Sequence, residues 1–413
     1  MRLSRGRRPA AAALVIALAI ALGIAAVQVA PAAPSGRAAA VPTRQPGAVP
    51  AATRAAVPGR VRHVFLIVLE NESFDTTFGP HSAAPYLAHT LISEGLLLTR
   101  YYAIGHNSLD NYIALVSGQA PNEDTQADCQ RYTDFVATRA GVDAHGQALG
   151  HGCVYPRWVR SLPDQLEAAG LTWKGYMEDM GKDPARERRT CGHVELGERD
   201  PLQFATRTDQ YASKHDPFVY FHSIIDDRAR CDAHVVPLDE LSHDLSAART
   251  TPNYVFITPN LCHDGHDGPC ADGEPGRLQS SDEFLRRWVP VIRGSAAFRR
   301  DGLLIVTFDE SNALGAEMAE SCCDERPLPG ARFPPGLVGL GGGRIGAVAL
   351  SPFVEAGTTS DVPYNHYSLL ATVEAIFGLA PLGYAADPKL NLLPVLGQPG
   401  ATAPPSTARA ASR

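Results

Sequence analysis

The sequence predicts an α/β fold, namely a three-layer α/β/α sandwich around a mostly parallel central sheet. Short runs rich in β-branched and aromatic residues recur along the chain, and each is bounded by polar residues, Gly or Pro. Amphipathic stretches with helical spacing lie between several of these runs. Strands that alternate with helices in this way usually form a parallel sheet with helices on both faces.

Six apolar runs are predicted to be buried strands, because each has the length of a strand and few polar residues. In chain order they are residues 63–69, 171–176, 218–222, 254–258, 303–308 and 345–350. Helices are predicted over residues 161–169 and 367–377, where the apolar residues recur with helical spacing. A further helix is expected to begin near Ser108, ahead of the apolar stretch IALVSG.

Composition and charge indicate a globular protein and bear on which ligands it can bind. The chain has 413 residues, of which 45% are hydrophobic and 20% charged, as in an ordinary globular protein. Eight of the 37 basic residues lie in the first 60 residues, which contain no Asp or Glu; the remainder therefore has 29 basic and 44 acidic residues. Such an acidic body argues against a nucleic-acid-binding surface and suits an enzyme that gathers carboxylates around a cation.

The N-terminus predicts export. Arg2, Arg5, Arg7 and Arg8 precede an apolar run over 10–27 that is followed by small-residue cleavage sites. Residues 1–32 are therefore expected to be a secretory signal peptide or, alternatively, an uncleaved N-terminal membrane anchor. We expect the protein to be secreted or held at the cell surface.

The remaining boundaries follow from composition. Residues 33–60 are predicted to be a disordered Ala/Pro-rich linker, and residues 398–413 a disordered tail. The catalytic domain is assigned to residues 61–397. The eight cysteines show no CxxC spacing, so in an exported chain they predict up to four disulfides whose pairing the sequence leaves open.

Polar residues follow three of the predicted strands. Glu70 and Asn71 follow the first, Asp309 and Glu310 follow the fifth, and the cluster CHDGHD at 262–267 comes after the fourth. In open α/β sheets ligands bind beyond the carboxyl ends of the strands, so these side chains are expected to meet at one edge. Oxygen donors of this kind suit a hard divalent cation such as Mg²⁺, Ca²⁺ or Mn²⁺.

The candidate nucleophile is Ser108. A serine at the start of a helix lies in the positive field of the helix dipole, where a phosphate is also favoured. A nearby cation would lower the pKa of its hydroxyl. The alternative is that Ser108 only caps the helix. The chain has no GxSxG elbow and no P-loop sequence.

Histidines near these residues are the candidate proton donors. In the HDGHD cluster, His263, Asp264, His266 and Asp267 are expected to complete a second cation site or to protonate a leaving group; alternatively, the cluster is a turn capped by its aspartates. His366 precedes the last predicted helix, where it either faces the site or helps to cap that helix.

Seven segments occur in an order that resembles a known family. They are ENESFDTTFG (70–79), HNSLDNYIALVSGQAPN (106–122), TWKGYMEDM (172–180), KHDPFVYFHSI (214–224), TPNLCHDGHDGPC (258–270), LLIVTFDES (303–311) and HYSLLATVEAIFGL (366–379). Together they resemble the bacterial phosphoesterase family of acid phosphatases and phosphatidylcholine-type phospholipases C, within the alkaline-phosphatase-like superfamily. The resemblance covers roughly residues 62–380.

The resemblance implies an alkaline-phosphatase-like fold and a hydrolase with a Ser or Thr nucleophile. It implies a divalent metal, whether Mg, Ca, Mn, Fe or Zn. The implied metal ligands are Glu70, Asn71, Ser108, Asp309 and Glu310, and we add Asp264 from the neighbouring cluster.

The implied catalytic residues besides the nucleophile are His266 and His366, and the implied substrate-binding residues are His106, His215 and Tyr176. Many relatives carry Arg where this chain has Glu72, which puts a phosphate-binding role for position 72 in doubt.

These observations lead to one expected function. The chain is expected to be an exported, metal-dependent phosphoesterase that cleaves phosphomonoesters, like an acid phosphatase, through a phosphoseryl intermediate. The alternatives are a phospholipase C-type phosphodiesterase acting on lipid headgroups and a non-catalytic, surface-anchored binding protein. The expected partners are a small phosphate ester or a lipid headgroup, and the oligomeric state is left open.

Overall fold

The computed structural model describes residues 60–312, 316–336 and 339–395. The predicted signal peptide or anchor, the linker before Arg60 and the C-terminal tail lie outside the described residues. The strands of the described part are β1 His63–Leu69, β2 Leu96–Leu98, β3 Tyr101–Tyr102, β4 Val136–Val142, β5 Ala148–His151, β6 Trp173–Met177, β7 Val235–Pro237, β8 Tyr254–Thr258, β9 Gly302–Phe308, β10 Ala347–Leu350, β11 Thr358–Ser360 and β12 Tyr364–Asn365.

The α-helices of the same residues vary from single turns to five turns. They are α1 Phe74–Phe78, α2 Ile92–Glu94, α3 Ser108–Ser117, α4 Leu162–Ala168, α5 His222–Ile225, α6 Arg228–His234, α7 Leu241–Asp244, α8 Arg277–Gly294, α9 Ala296–Asp301 and α10 His366–Phe377.

Eight strands form the central sheet in the order β11-β2-β10-β9-β1-β8-β6-β7. The five strands from β9 to β7 run parallel to one another, whereas β10 runs antiparallel to both of its neighbours. Every residue of β1, β8 and β9 is buried, as expected for strands covered on both faces. The prediction of a mostly parallel sheet is confirmed.

Helices cover both faces of this sheet. Leu66 of β1 is paired with Phe256 of β8, so Phe65, one residue earlier, faces the opposite side. The Phe65 ring packs against Phe298 of α9, and the Phe256 ring packs against Tyr112 of α3. The two helices therefore lie on opposite faces, and the three-layer α/β/α sandwich is confirmed.

Five of the six predicted strands are present, and the prediction for residues 218–222 is wrong. That segment forms a 3₁₀ helix, Pro217–Tyr220, followed by the start of α5. Asp216 caps the 3₁₀ helix by accepting the N–H of Phe218 over 3.1 Å, and Pro217 suits the first helical position. The apolar side chains are buried in the core in this conformation too, so burial did not distinguish strand from helix.

The helix predictions are confirmed. Ser161 and Asp164 form a capping box at the start of α4, and the side chain of Asn365 caps α10. The α3 helix begins at Ser108, as expected.

The eight cysteines form four disulfides, which confirms the expected number. The pairs are Cys129–Cys153, Cys191–Cys231, Cys262–Cys270 and Cys322–Cys323. Within the described ranges, no helix combines the length and the apolar character needed to cross a bilayer.

Candidate active site

The candidate site lies at the carboxyl ends of three neighbouring strands. Because β9, β1 and β8 are adjacent, the residues that follow them meet at one sheet edge. The backbone N–H of Glu70 donates to the carbonyl of Asp264 over 2.8 Å, and the N–H of Asp309 donates to the carbonyl of Leu69 over 2.8 Å. The three polar strand ends predicted from the sequence are therefore joined by backbone hydrogen bonds.

Ser108 faces the end of β1. It is the first residue of α3, and its hydroxyl donates to Glu70 Oε2 over 3.0 Å. The Asn71 side-chain amide donates to the same oxygen over 2.9 Å. Asn71 has a φ of 58°, in the left-handed region that asparagine tolerates better than most residues. The nucleophile candidate thus lies within hydrogen-bonding distance of a carboxylate at the positive end of a helix.

Asp309 joins this group from the neighbouring strand. Its Oδ1 accepts the backbone N–H groups of Asn71, over 3.1 Å, and of Glu310, over 2.5 Å. Burial, together with the charges of Asp309 and Asp264, raises the pKa of Glu70 well above its usual range. Burial also raises the pKa of Asp309, whose carboxyl contacts that of Glu70. Ionising both of these buried carboxyl groups costs much free energy unless a cation lies between them.

The residues present fit a hard divalent cation. Glu70 Oε1 and Asp309 Oδ2 are buried and accept no hydrogen bond of good geometry, although His215 Nε2 lies 3.1 Å from Glu70 Oε1. Carboxylate, amide and hydroxyl oxygens from Glu70, Asp309, Asn71 and Ser108 are the donors that such a cation prefers. These orphaned, mutually repelling oxygens are the sites at which a bound cation would offset the cost of burial.

Glu310 pairs with a histidine and not with the carboxyl groups of Glu70 and Asp309. Its Oε2 is hydrogen-bonded to Nδ1 of His106, and burial raises the pKa of Glu310 to about 7. Burial alone would lower the pKa of His106, but the hydrogen bond to Glu310, the charge of Glu310 and the carbonyl of Met318 together outweigh it, and the pKa lies above the usual value. The other ring nitrogen of His106 lies 3.1 Å from the carbonyl of Met318. Glu310, the predicted metal ligand, and His106, the predicted substrate-binding residue, both lie at the site, but their side chains are hydrogen-bonded to each other.

His215 bridges two of the predicted metal ligands. Its Nε2 lies 3.1 Å from Glu70 Oε1 and its Nδ1 lies 3.2 Å from Asp264 Oδ2. The ring stacks on Tyr112 with centroids 5.2 Å apart. Burial, followed by the charge of Lys214, lowers the pKa of His215 well below its usual range, so the ring is neutral at physiological pH.

His266 lies at the more open side of the site. Its side chain is 32% exposed, whereas those of His106 and His215 are 1% exposed. Its Nδ1 lies 2.8 Å from the carboxylate of Asp267, which fixes the orientation of the ring, and its Nε2 lies 3.4 Å from Lys214 Nζ. The backbone N–H of His266 donates to Asp264 Oδ1 over 2.7 Å.

Two of the predicted site residues, His366 and Tyr176, are hydrogen-bonded to groups other than the carboxylates at the strand ends. His366 is fully buried: its Nε2 lies 2.6 Å from the carbonyl of Asp309 and its Nδ1 lies 3.0 Å from the Tyr101 hydroxyl. Burial lowers its pKa to about 4, so we revise its role from proton donor to positioning of Asp309. The Tyr176 hydroxyl donates to Asp244 Oδ2 over 2.7 Å on α7, which separates it from the strand-end carboxylates.

The sequence analysis missed three charged residues at the site. Lys214 lies in the 3₁₀ turn Ser213–His215, and Asp128 accepts the N–H of Leu109 over 3.0 Å. Asp110 is buried with both carboxylate oxygens lacking a partner, and burial raises its pKa. The lysine next to His215 in the segment KHDPF was the available signal, because a lysine between apolar core segments is unusual.

Part of the β9–β10 connection covers the site. The N–H of His106 donates to the carbonyl of Pro335 over 3.2 Å, and the Gln126 side-chain amide donates to the carbonyls of Pro334 and Pro335 over 2.8 and 2.9 Å. These contacts, with that of Met318, help to explain why Ser108 is only 1% exposed.

Glu325, in the same connection, gives the fold a pH dependence. Its Oε1 accepts the Asn365 side-chain amide over 3.0 Å and the N–H of Cys322 over 3.3 Å. Burial raises its pKa to about 7, from 4.5. A carboxyl whose pKa is raised on folding stabilises the fold fully below pH 4.5, and this contribution is lost as the pH rises to about 7.

We therefore expect Glu325→Gln to become more stable relative to wild type as the pH rises from 5 to 8, by up to about 3 kcal/mol. Glutamine keeps the acceptor oxygen but has no charge to bury. Denaturant unfolding of both proteins at the two pH values measures the difference. An equal difference in unfolding free energy at the two pH values would show that Glu325 does not titrate in this range.

Comparison with known proteins identifies the family of the chain. The sequence model of the Phosphoesterase family matches residues 82–380, which include Ser108, His215, Asp264 and Asp309 but begin after Glu70. A phosphate-repressible acid phosphatase from Penicillium chrysogenum is 29% identical over 320 residues, 77% of this chain and 59% of that protein. A phosphatidylinositol-3-phosphatase from Mycobacterium tuberculosis is 26% identical over 331 residues, 79% of this chain and 80% of that protein.

Among the solved structures similar to this chain is a protein of the alkaline phosphatase superfamily from Vibrio parahaemolyticus, with a TM-score of 0.44 and 13% identity, covering 78% of this chain and 68% of that one. The chain spans 55 to 62% of the length of three fungal acid phosphatases that it matches. Because the family model matches well over half of its residues, the chain belongs to the Phosphoesterase family.

Proposed function

We propose that this protein is a metal-dependent phosphoesterase that hydrolyses phosphate monoesters through a phosphoserine at Ser108. The observation that carries the proposal is the hydrogen bond from the Ser108 hydroxyl to Glu70. This bond lies where Glu70 and Asp309 each have one buried carboxylate oxygen that accepts no hydrogen bond of good geometry. A nucleophile beside a set of oxygen donors that fits a divalent cation is what metal-assisted phosphoryl transfer requires.

The residues of the site divide the chemistry between them. Glu70 accepts the hydroxyl hydrogen of Ser108 and can take its proton as the oxygen attacks phosphorus. Glu70, Asn71 and Asp309 would hold the cation, which when bound neutralises their charge and lowers the pKa of the Ser108 hydroxyl. The backbone N–H of Asn71 fixes Asp309, and the carbonyl of Asp309 is fixed in turn by His366.

His266 is the residue we assign to the leaving group. It is the most exposed of the four candidate histidines, and Asp267 fixes its ring orientation. His266 gives a proton to the leaving alcohol and then takes one from the water molecule that attacks the phosphoserine from the side that the alcohol vacated. The Ser108 oxygen takes its proton back from Glu70 as phosphate is released. His106 and Glu310 lie beside the nucleophile as a neutralised pair and help to support the loop that precedes Ser108.

The relatives favour a phosphomonoester substrate. The similar fungal proteins are named acid phosphatases, and the similar mycobacterial protein is named a phosphatidylinositol-3-phosphatase. All of these names are names of phosphatases, which remove the phosphate group of a phosphomonoester. We therefore place a phosphomonoester first, either a small molecule or a phosphorylated lipid headgroup, and a phosphodiester second. The four disulfides support an oxidising, extracytoplasmic location.

Hydrolysis of p-nitrophenyl phosphate tests the proposal. The purified protein is assayed from pH 4 to 9 as isolated, after chelation, and after single divalent ions are added back. We expect activity to disappear on chelation and to return with one ion, because Glu70 and Asp309 need a cation to remain ionised at close range. Circular dichroism before and after chelation is the control for unfolding.

Two other outcomes would change the proposal. Cleavage of bis-p-nitrophenyl phosphate or phosphatidylcholine, without cleavage of the monoester, would make the protein a diesterase. Tight metal binding with no hydrolysis of any of the three esters would favour a binding protein that retained the fold.

A further inference from the structure

Lys214 is the buried positive charge of the candidate site. Its side chain is 9% exposed, whereas those of the other three lysines, Lys174, Lys182 and Lys389, are 26%, 57% and 72% exposed. Among the described residues, no arginine is buried. An ordinary surface lysine keeps its ammonium group in water, so the burial of Lys214 needs a reason.

The ammonium group of Lys214 lies between two residues of the site. Its Nζ is 3.3 Å from Asp128 Oδ2 and 3.4 Å from His266 Nε2. An ammonium group has three N–H donors, and among the described residues Asp128 and His266 can accept at most two of them. Burial alone would lower the pKa of Lys214, but the negative charges of Asp128 and Glu70 raise it by more. The pKa therefore lies above its usual value, and the ammonium group is charged.

The surrounding charges are otherwise negative. Glu70, Asp309 and Asp264 are buried at the same sheet edge and are close enough for the charge of Lys214 to lower the pKa of each. A phosphate group entering such a site is repelled by the carboxylates unless positive groups outweigh them. Lys214 supplies a positive charge with an unused donor beside the candidate proton donor His266.

We propose that Lys214 binds a non-bridging phosphoryl oxygen of the substrate and that Asp128 is the positioning residue that holds it there. This inference rests on the proposed function, because it assumes that the bound anion is a phosphate. Lysine is a common phosphate ligand because its compact ammonium charge approaches one oxygen closely. The contact between Lys214 and His266 places the phosphate ligand next to the group that serves the leaving oxygen.

Asp128 links Lys214 to the nucleophile helix. One of its oxygens accepts the N–H of Leu109, the residue after Ser108, and the other contacts Lys214. The backbone of Asp128 has a φ of 54°, next to Cys129, which is tied to Cys153. Asp128 thereby fixes the distance between the ammonium group and the first turn of α3.

Binding of inorganic phosphate tests the inference directly. Calorimetric titration with phosphate, with and without added Mg²⁺, compares the full chain with Lys214→Met. Loss of one charge-assisted hydrogen bond should weaken phosphate binding about 10- to 100-fold. Lys174→Met is the matched control, since Lys174 also pairs with an aspartate, Asp244, over 2.6 Å but lies near the start of β6 and not at the carboxyl end of a strand. We expect phosphate binding by this control to match the wild type.

A double-mutant cycle tests the role of Asp128. In Asp128→Asn the side chain can still accept the N–H of Leu109, but the charge that holds Lys214 is gone. We expect weaker phosphate binding in the wild-type background and no further loss when Lys214→Met is already present. The double variant also removes both buried charges together, so it remains foldable if Lys214→Met alone is destabilised by an unpaired Asp128.

The outcomes separate the inference from the proposed function. Phosphate affinity unchanged in Lys214→Met, or unchanged in the double variant, would overturn the role of Lys214 even if the wild type hydrolyses p-nitrophenyl phosphate. Conversely, a wild type that hydrolyses no ester but loses phosphate binding on Lys214→Met would overturn the enzymatic proposal and keep Lys214 as the anion ligand. Equal losses in the Lys214 and Lys174 variants would show a general structural effect and would also overturn the inference.

Discussion

Replacing Ser108 with alanine is expected to abolish phosphate-ester hydrolysis while leaving the protein folded. The substitution removes the only atom that forms the proposed covalent intermediate, so kcat should fall by about 10⁴- to 10⁶-fold. The structural cost is small, because one hydrogen bond to Glu70 is lost and that oxygen keeps the Asn71 amide as a donor. A net loss of about 1 kcal/mol is expected from such a bond.

Ser117→Ala is the matched control for this experiment. Ser117 is the last residue of the same helix, and its hydroxyl donates to the Ile113 carbonyl over 2.7 Å. Both variants are compared in p-nitrophenyl phosphate turnover and in thermal unfolding. If Ser108→Ala retained a substantial fraction of wild-type turnover, another residue would be the nucleophile.

Asp309→Asn is expected to remove the bound cation and the activity together. Asparagine can keep the acceptor for the N–H groups of Asn71 and Glu310, but it removes the charge from the oxygen that lacks a partner. Metal affinity should fall by more than the roughly 10- to 100-fold that loss of an outer-shell partner costs. The metal-free variant should be more stable than the metal-free wild type, because Asp309 raises the pKa of Glu70 through repulsion.

Metal content after dialysis and thermal unfolding with and without added Mg²⁺ measure both effects. Asp301→Asn is the matched control, since Asp301 immediately precedes the same strand at its opposite end and pairs with His63 over 2.5 Å. We expect added metal to stabilise the wild type and the Asp301 variant but not the Asp309 variant. Unchanged metal content in Asp309→Asn would remove Asp309 from the ligand set.

The fold was largely predictable because its signal is local. Strands such as His63–Leu69 are continuous apolar runs, and a parallel sheet buries them on both faces. The carboxyl ends of parallel strands share an edge, so the pairing of Glu70 with Asp309 followed from topology alone. The α8 helix was missed because its charged sequence contains Pro290, which normally argues against a helix interior.

The finer roles were not predictable because they depend on contacts between distant segments. His366 looked like an available histidine in the sequence, and only its bonds to Asp309 and Tyr101 reveal that both ring nitrogens are engaged. Lys214 and Asp128 are 86 residues apart, so no spacing rule connects them. Residues 218–222 were misassigned because an apolar run has the same composition in a buried strand and in a buried 3₁₀ helix.

Trapping the phosphorylated protein tests the central claim most directly. Acid quenching during turnover of p-nitrophenyl phosphate, followed by reduction, trypsin digestion and mass spectrometry, examines the peptide over residues 101–131, which contains Ser108. We predict one phosphoryl group at Ser108, absent in Ser108→Ala and absent without the divalent ion. Full turnover with no phosphoserine on this peptide, or with the phosphoryl group on another residue, would contradict the account.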